Sequence, residues 1–224
     1  MARWSAFSSV GPRNLRSMAF LTALAPVTLT GPLVTLAPLS HDQYEGLVEA
    51  LEDGQLWDRW YTSVPSPSGL RAEIDRRLTL QEKGEMIPFT AIDTAGRVLG
   101  MTTYYDIDPV VPRMEIGYTW NRASAHGTGT NAESKLLLLQ HAFDVLGCEC
   151  IGLRTQWVNT QSREAIARLG AKQDGVLRSY KRYRNGALQD AVLFSILRHE
   201  WPTVNAHLRH RLRHRHEAYR AIPE

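Results

Sequence analysis

One stretch constrains this chain more than any other. It is a strand-like run, Glu115-Ile-Gly-Tyr-Thr-Trp120, then a short linker, the turn His126-Gly-Thr-Gly-Thr-Asn131, and a leucine-rich helical run. In the first part Met114, Ile116, Tyr118 and Trp120 alternate with Glu115, Gly117 and Thr119. That is strand spacing, and it sets Glu115 on the face opposite the larger side chains. Ala132, Leu136, Leu139, Phe143 and Leu146 then recur at helical spacing, and Gly147 is the stop. A strand that enters a helix through Gly-x-Gly makes a place for an anion. The glycines allow close backbone approach, and the first-turn N–H groups have no acceptor inside the helix. The same pattern also serves as a plain tight turn. It is not a Walker A loop, because no Gly-Lys-Ser/Thr follows, and it lacks the third glycine and first-strand setting of a dinucleotide fingerprint.

The rest of the chain organises around this stretch. Val27-Thr-Leu-Thr and Leu33-Val-Thr-Leu read as a first strand. A helix capped by Asp42 follows, with Tyr44, Leu47, Val48 and Leu51 in register and Gly54 at its end. Residues 55–68 form an aromatic loop with two prolines. A second helix then carries Leu70, Ile74 and Leu78 and stops at Gly84. Strands are predicted at Ile87–Asp93 and Val98–Tyr105, joined by the turn Asp93-Thr-Ala-Gly96, and at Arg113–Trp120. Beyond the leucine-rich helix come a strand Cys150–Trp157, a short helix from Asn159 to Gly170, and strands Ala171–Tyr183 and Gln189–Leu197 joined by Asn185-Gly186. This order predicts a single mixed α/β (α+β) domain, not a repeated βαβ array.

Charge is unevenly placed. The 224 residues carry a formal +3, yet residues 1–32 hold Arg3, Arg13 and Arg16 with no acid. Residues 203–224 hold five arginines against Glu217 and Glu224, which leaves 33–202 at −3. Basicity thus belongs to two terminal segments, and any nucleic-acid contact is expected only through the Arg/His-rich tail. The division expected is an N-terminal extension and lead-in (1–32), a globular body (33–202) and the tail (203–224). The tail reads as solvated, or as an amphipathic helix with Leu208, Leu212 and Tyr219 on one side. Residues 1–17 read as an extension, with a signal peptide around Met18–Pro26 as the minor alternative. No apolar run has the ~18–20 residues of a membrane span. Two cysteines make no disulfide framework and point to a reducing, cytoplasmic setting. Cys148-x-Cys150 reads as two free thiols, with no metal site and no nucleophile.

Three features together resemble the GNAT superfamily of acetyl-CoA-dependent N-acetyltransferases, in particular its ribosomal-protein N-terminal acetyltransferase branch. They are EIGYTW before HGTGTNAESKLLLL, the stretch LRTQWVNTQSREAIARLGAKQDG (153–175), and the closing YKRYRNGALQDAVLFSIL (180–197). The likeness covers about 33–202. It implies a GNAT fold: a mostly antiparallel central sheet of about seven strands, helices on both faces, and a splay between the fourth and fifth strands. It also implies acetyl-CoA in that gap, with the pyrophosphate on the amides of His126, Gly127, Thr128, Gly129, Thr130 and Asn131. The family's turn often opens with Gln or Arg where Ser124 stands here, which leaves Arg122 or His126 to supply charge.

Acetyl transfer to an amine needs a route for protons off the nucleophile and onto the departing thiolate. Glu115 is the candidate base, acting through water, with an ion pair to Arg113 or Arg154 as its other reading. Asn159 and Ser162 stand where the resemblance places a cofactor contact and a thiolate proton donor. Asn159 also reads as a helix N-cap. Tyr183 and Tyr180 are further candidate acids. Trp57, Trp60 and Tyr61, with Glu115, are the candidate acceptor-binding residues, or else the aromatics staple their loop to the body. The expected function is transfer of acetyl to a primary amine, on a small molecule or a protein N-terminus, by a monomer or homodimer without a metal. The other readings are a non-catalytic CoA-binding module and an RNA- or ribosome-associated protein using the tail.

Overall fold

The computed structural model describes Phe20 and residues 24–220. The expected extension at 1–17 lies outside the described residues, as does most of the Met18–Pro26 segment. Eight strands form one sheet in the order β1-β2-β3-β4-β5-β6-β8-β7. They are β1 (Leu29–Thr30), β2 (Val34–Pro38), β3 (Met86–Asp93), β4 (Val98–Asp108), β5 (Arg113–Asn121), β6 (Cys150–Gln156), β7 (Lys172–Arg182) and β8 (Leu188–Leu197). The eighth strand arises at the start. The stretch predicted as one strand bends back at Gly31, whose N–H bonds the Val34 carbonyl at 2.9 Å, and β1 pairs antiparallel with β2.

All neighbouring strands run antiparallel except β5 and β6. Helices cover both faces. On one face α1 (Tyr44–Glu52) and α2 (Leu70–Glu82) bury Leu47, Leu51, Leu70 and Ile74 against Met101 and Trp120. Asp42 does not cap α1. A 3-10 turn, His41–Gln43, precedes the helix, and the Gln43 side chain accepts from Ser40 N at 3.0 Å.

On the other face α3 (Thr130–Gln140) continues into a π-helical turn, His141–Val145. Its Leu136, Leu138 and Leu139 meet Met114, Ile116, Ile151 and Leu153 of the sheet. The short α4 (Thr160–Ala167) follows β6. The chain then forms α5 (Trp201–Arg215) and α6 (Glu217–Arg220). Trp201, Val204, Leu208, Leu212 and Tyr219 are all buried in the α3 core. The reading of 203–224 as a solvated tail therefore fails for the described residues. The apolar stripe that the sequence showed is used to cover the sheet, and the arginines are what remain on the outside.

Candidate active site

The parallel pair sets the site. β5 and β6 are in register from Arg113 opposite Cys150 to Ile116 opposite Leu153. Beyond that both strands continue, to Asn121 and Gln156, without pairing to each other. The sheet opens there, between the fourth and fifth strands of the seven predicted. A bulge reinforces the opening. Opposite β4 the register shifts between Met101–Trp120 and Thr103–Gly117, and Tyr118 takes a positive φ of 49°. The bulge corrects the simple alternation expected over 114–120. Met114 and Ile116 face the α3 core, whereas Trp120 faces α1 and α2. One inserted residue exchanges the faces beyond it.

The turn after β5 has the geometry of an anion cradle. Gly127 and Gly129 have φ of 80° and 89°, the left-handed region that favours glycine, and Gly129 is the N-cap of α3. A Cβ on Gly127 would have nothing within 4 Å, so that side of the turn is open. Among the described residues, the amides of Gly127, Gly129, Thr130, Asn131 and Ala132 donate to no carbonyl or side chain. Thr128 Oγ1 instead donates to the Ala125 carbonyl at 2.7 Å, and Asn131 Oδ1 accepts from Asn121 at 3.4 Å. Five free donors at a helix N-terminus fit a phosphate group.

Neither residue proposed to replace the missing cation is disengaged. Arg122 is paired with Asp53 at 2.8 Å, and Ser124 Oγ donates to the same carboxylate at 2.6 Å. Those two hydrogen bonds hold the Asp53 carboxyl below its usual range. The His126 ring contacts the Asn121 carbonyl at 3.1 Å. The turn thus relies on backbone donors.

Glu115 is buried beside the last paired residues of β5, opposite Gly152 on β6. A Cβ at position 152 would stand 2.8 Å from Glu115 Cγ, so this glycine makes room for the carboxylate. Tyr105 donates to Glu115 Oε2 at 2.5 Å, and Arg154 pairs with Oε1. Arg154 in turn donates to the Tyr180 hydroxyl at 2.5 Å. Burial first, and then the Glu115 charge, push the Tyr105 phenol well above its ordinary range, so it remains a donor. The ion pair with Arg154 is therefore present, and Arg113 pairs elsewhere, with Asp106 and Asp108. A cavity of about 140 Å³ adjoins the carboxylate, bounded by Arg113, Gly152, Cys150, Asp174 and Ser195.

The other candidates fall into two groups. Asn159 caps α4, its Oδ1 accepting from Ser162 N at 3.0 Å. Ser162 lies half-buried in the first turn of α4, and no partner for its hydroxyl occurs among the described residues. Tyr183 meets Trp60 edge-to-face at 4.8 Å, and Trp60 meets Tyr61 at 5.7 Å. The early loop therefore leans on the β7–β8 hairpin. Arg184 reaches the Val64 carbonyl at 3.1 Å, and Arg59 reaches Gln161 on α4 at 3.4 Å. Burial, with Asp190 nearby, raises the Tyr183 phenol. Trp57 is different: it packs against the α1–α2 core and staples the loop. Among the described residues no hydrogen bond joins Ser162 or Tyr183 to Glu115.

Cys148 and Cys150 are free, and burial pushes the Cys148 thiol up to about 12. No cluster of three or more His, Cys, Asp or Glu side chains able to hold a metal occurs among the described residues. No helix among them is long and apolar enough to cross a membrane.

Two site neighbours escape sequence reasoning. Tyr105 stands in a strand where any large residue fits the pattern. Lys135 is hidden in a leucine-rich helix, yet its Nζ is buried under the bulge, bonded to Thr102 at 3.1 Å and Thr119 at 2.8 Å. Burial lowers its pKa to about 7.

A parallel pair that opens beside a glycine turn at a helix N-terminus, within this strand order, defines a class. The family model described as acetyltransferase (GNAT) domain matches residues 34–172, and the chain belongs to that family. It is 30% identical over 106 residues to YdaF of Bacillus subtilis, a candidate ribosomal N-acetyltransferase by name. That match covers 47% of this chain and 57% of YdaF, so the chain spans little more than half of this relative's length. A solved acetyltransferase candidate from T. thermophilus superposes with a TM-score of 0.72 at 30% identity, over 84% of this chain and 98% of that one. Mycobacterium smegmatis RimJ, solved in complex with CoA-disulfide, shares the fold with a TM-score of 0.69 at 23% identity, over 82% and 93%.

Proposed function

We propose that this protein is an acetyl-CoA-dependent N-acetyltransferase that acetylates a primary amine by direct attack on the thioester. The observation that carries the reading is the splay between β5 and β6 ending at five amides of the 127–132 turn that have no partner among the described residues. Those amides, with His126, Thr128 and Asn131 around them, hold the pyrophosphate. Acetyl-CoA supplies the activated acyl group and a thiolate as leaving group.

The chain's own residues do the rest. The carboxylate of Glu115, fixed by Tyr105 and Arg154, receives the amine proton through water. As the new N–C bond forms and the C–S bond breaks, a hydroxyl returns a proton to sulfur. Ser162, whose hydroxyl has no partner among the described residues, is the assigned donor, and Tyr183 is the alternative. Asn159 keeps α4 in place through its cap and presents its amide N–H₂ to the cofactor. Trp60, Tyr61 and Tyr183 wall the acceptor side, while Trp57 anchors their loop. The ribosomal name of the relative YdaF favours a protein N-terminus as acceptor over a small amine.

The test is Glu115→Gln assayed with acetyl-CoA against peptide N-termini and small amines. Loss of turnover with unchanged acetyl-CoA affinity is expected. Full activity in Glu115→Gln would overturn the base assignment. Binding of CoA without turnover on any amine by the unsubstituted protein would make it a binding module.

A further inference from the structure

The C-terminal helix reaches the phosphate-binding turn. α5 runs antiparallel to α3: Arg209 donates to Gln140 at the far end of α3 at 3.0 Å, and His216 lies against Gly129 at its start. A Cβ built on Gly129 would stand 2.1 Å from His216 Nε2 and 2.9 Å from the ring carbons beside it. The ring therefore fills the space on that side of Gly129, while the Gly127 side is open. His216 Nε2 is fully covered and has no hydrogen-bond partner among the described residues. The backbone of His216 is fixed in both directions, its N–H bonded to the Leu212 carbonyl at 2.9 Å and its carbonyl accepting from Tyr219 N at 3.1 Å.

The same segment grips the first turn of α3 at a second point. Tyr219 is buried against Glu133, and burial together with that carboxylate pushes the phenol above its ordinary range. Glu133 accepts from Leu33 N at 2.7 Å, and its own N–H bonds the Gly129 carbonyl at 2.9 Å. A glycine in the left-handed region is the residue with most freedom to lose. A ring pressed behind it removes that freedom before any ligand arrives, and pre-ordered donors bind better than mobile ones.

We propose that His216 is a positioning residue for the cofactor, holding the 127–132 turn from behind so that its amides face the pyrophosphate. This makes the segment after β8 a working part of the site. The inference rests on the assignment of that turn to acetyl-CoA.

The experiment compares the full chain with His216→Ala and His216→Phe, by amide order parameters of Gly127 and Gly129 without ligand and by calorimetry with CoA. In His216→Ala the order parameters should fall from ~0.85 toward ~0.6. Its Kd for CoA should rise about tenfold, as when a supporting residue is lost, with kcat at saturation kept within about twofold. His216→Phe keeps the ring and should restore both. A His216→Ala turn as rigid as in the unsubstituted chain would overturn the inference, as would CoA binding by His216→Ala that equals the unsubstituted chain. If His216→Phe fails to rescue a loosened turn, the packing argument falls. If the unsubstituted chain binds no CoA, the cofactor assignment fails, and the order parameters still decide whether His216 positions the turn.

Discussion

Glu115 shows how much one carboxylate depends on its neighbours. Tyr105 and Arg154 meet its two oxygens, and Gly152 leaves the room in which they do so. Replacing it with Gln keeps the shape and removes the carboxylate charge that the proposed base needs. Steady-state assays of Glu115→Gln should show turnover reduced by about 10²–10⁴-fold, the usual range for a general base. Lys135 gives a second prediction at this scale. Its folded pKa, about 7, lies below the 10.5 of an exposed lysine, so between those values the unfolded chain binds more protons. Stability should therefore rise as the pH rises from about 7 toward 10.5, with the full penalty present below 7. Lys135→Met removes the buried charge and leaves Thr102 and Thr119 bonded to each other at 2.8 Å. It should be more stable than the unsubstituted protein at pH 7, by about 1–3 kcal/mol, and should flatten the slope in melting curves taken across that window. Such residues differ in legibility. Gly127 and Gly129 announce themselves because few other residues take their backbone conformation. Lys135 does not, since a lysine in a helix normally reads as solvent-facing, and only the packing of α3 on the bulge buries it.

Elements carry the site through their ends. The turn into α3 needs glycine at 129 for two separate reasons, its φ of 89° and the His216 ring behind it. Gly129→Val meets both obstacles and should weaken CoA binding by at least about tenfold in calorimetry, while the far end of the sheet stays intact. Unchanged affinity would remove the pyrophosphate from this turn. Most elements were readable from periodicity: α1 to α4, both hairpins, and the strand-to-helix passage at 113–140. The bulge in β5 was not. A period-2 count assumes an unbroken strand, whereas Tyr118 inserts at the splay and turns Trp120 to the other face. The short β1 was missed because two residues carry no period.

At the scale of the whole molecule, α5 closes the core on the α3 face of the sheet among the described residues. Leu208 and Leu212 are buried as deeply as residues of the central strands. Leu208→Ala should therefore cost about 2–5 kcal/mol in denaturant unfolding, and removal of 205–220 should unfold the chain or strip its α3 face. A truncated chain that stayed as stable as the full one would contradict this packing. Charge counting marked this segment as an appendage, because arginine and histidine dominate its composition. Its stripe of Trp201, Val204, Leu208 and Leu212 was there to be read, but what it covers is a property of the assembled sheet. The antiparallel lie of α5 on α3 has a consequence in time. A chain leaving the ribosome presents all eight strands before it presents residue 216, although a domain generally folds as a unit. The backing for Gly129 must then arrive from far along the sequence and bear the entropy of closing that long loop. Until residue 216 has emerged, the ring that backs Gly129 is absent, and the turn into α3 stands without that support.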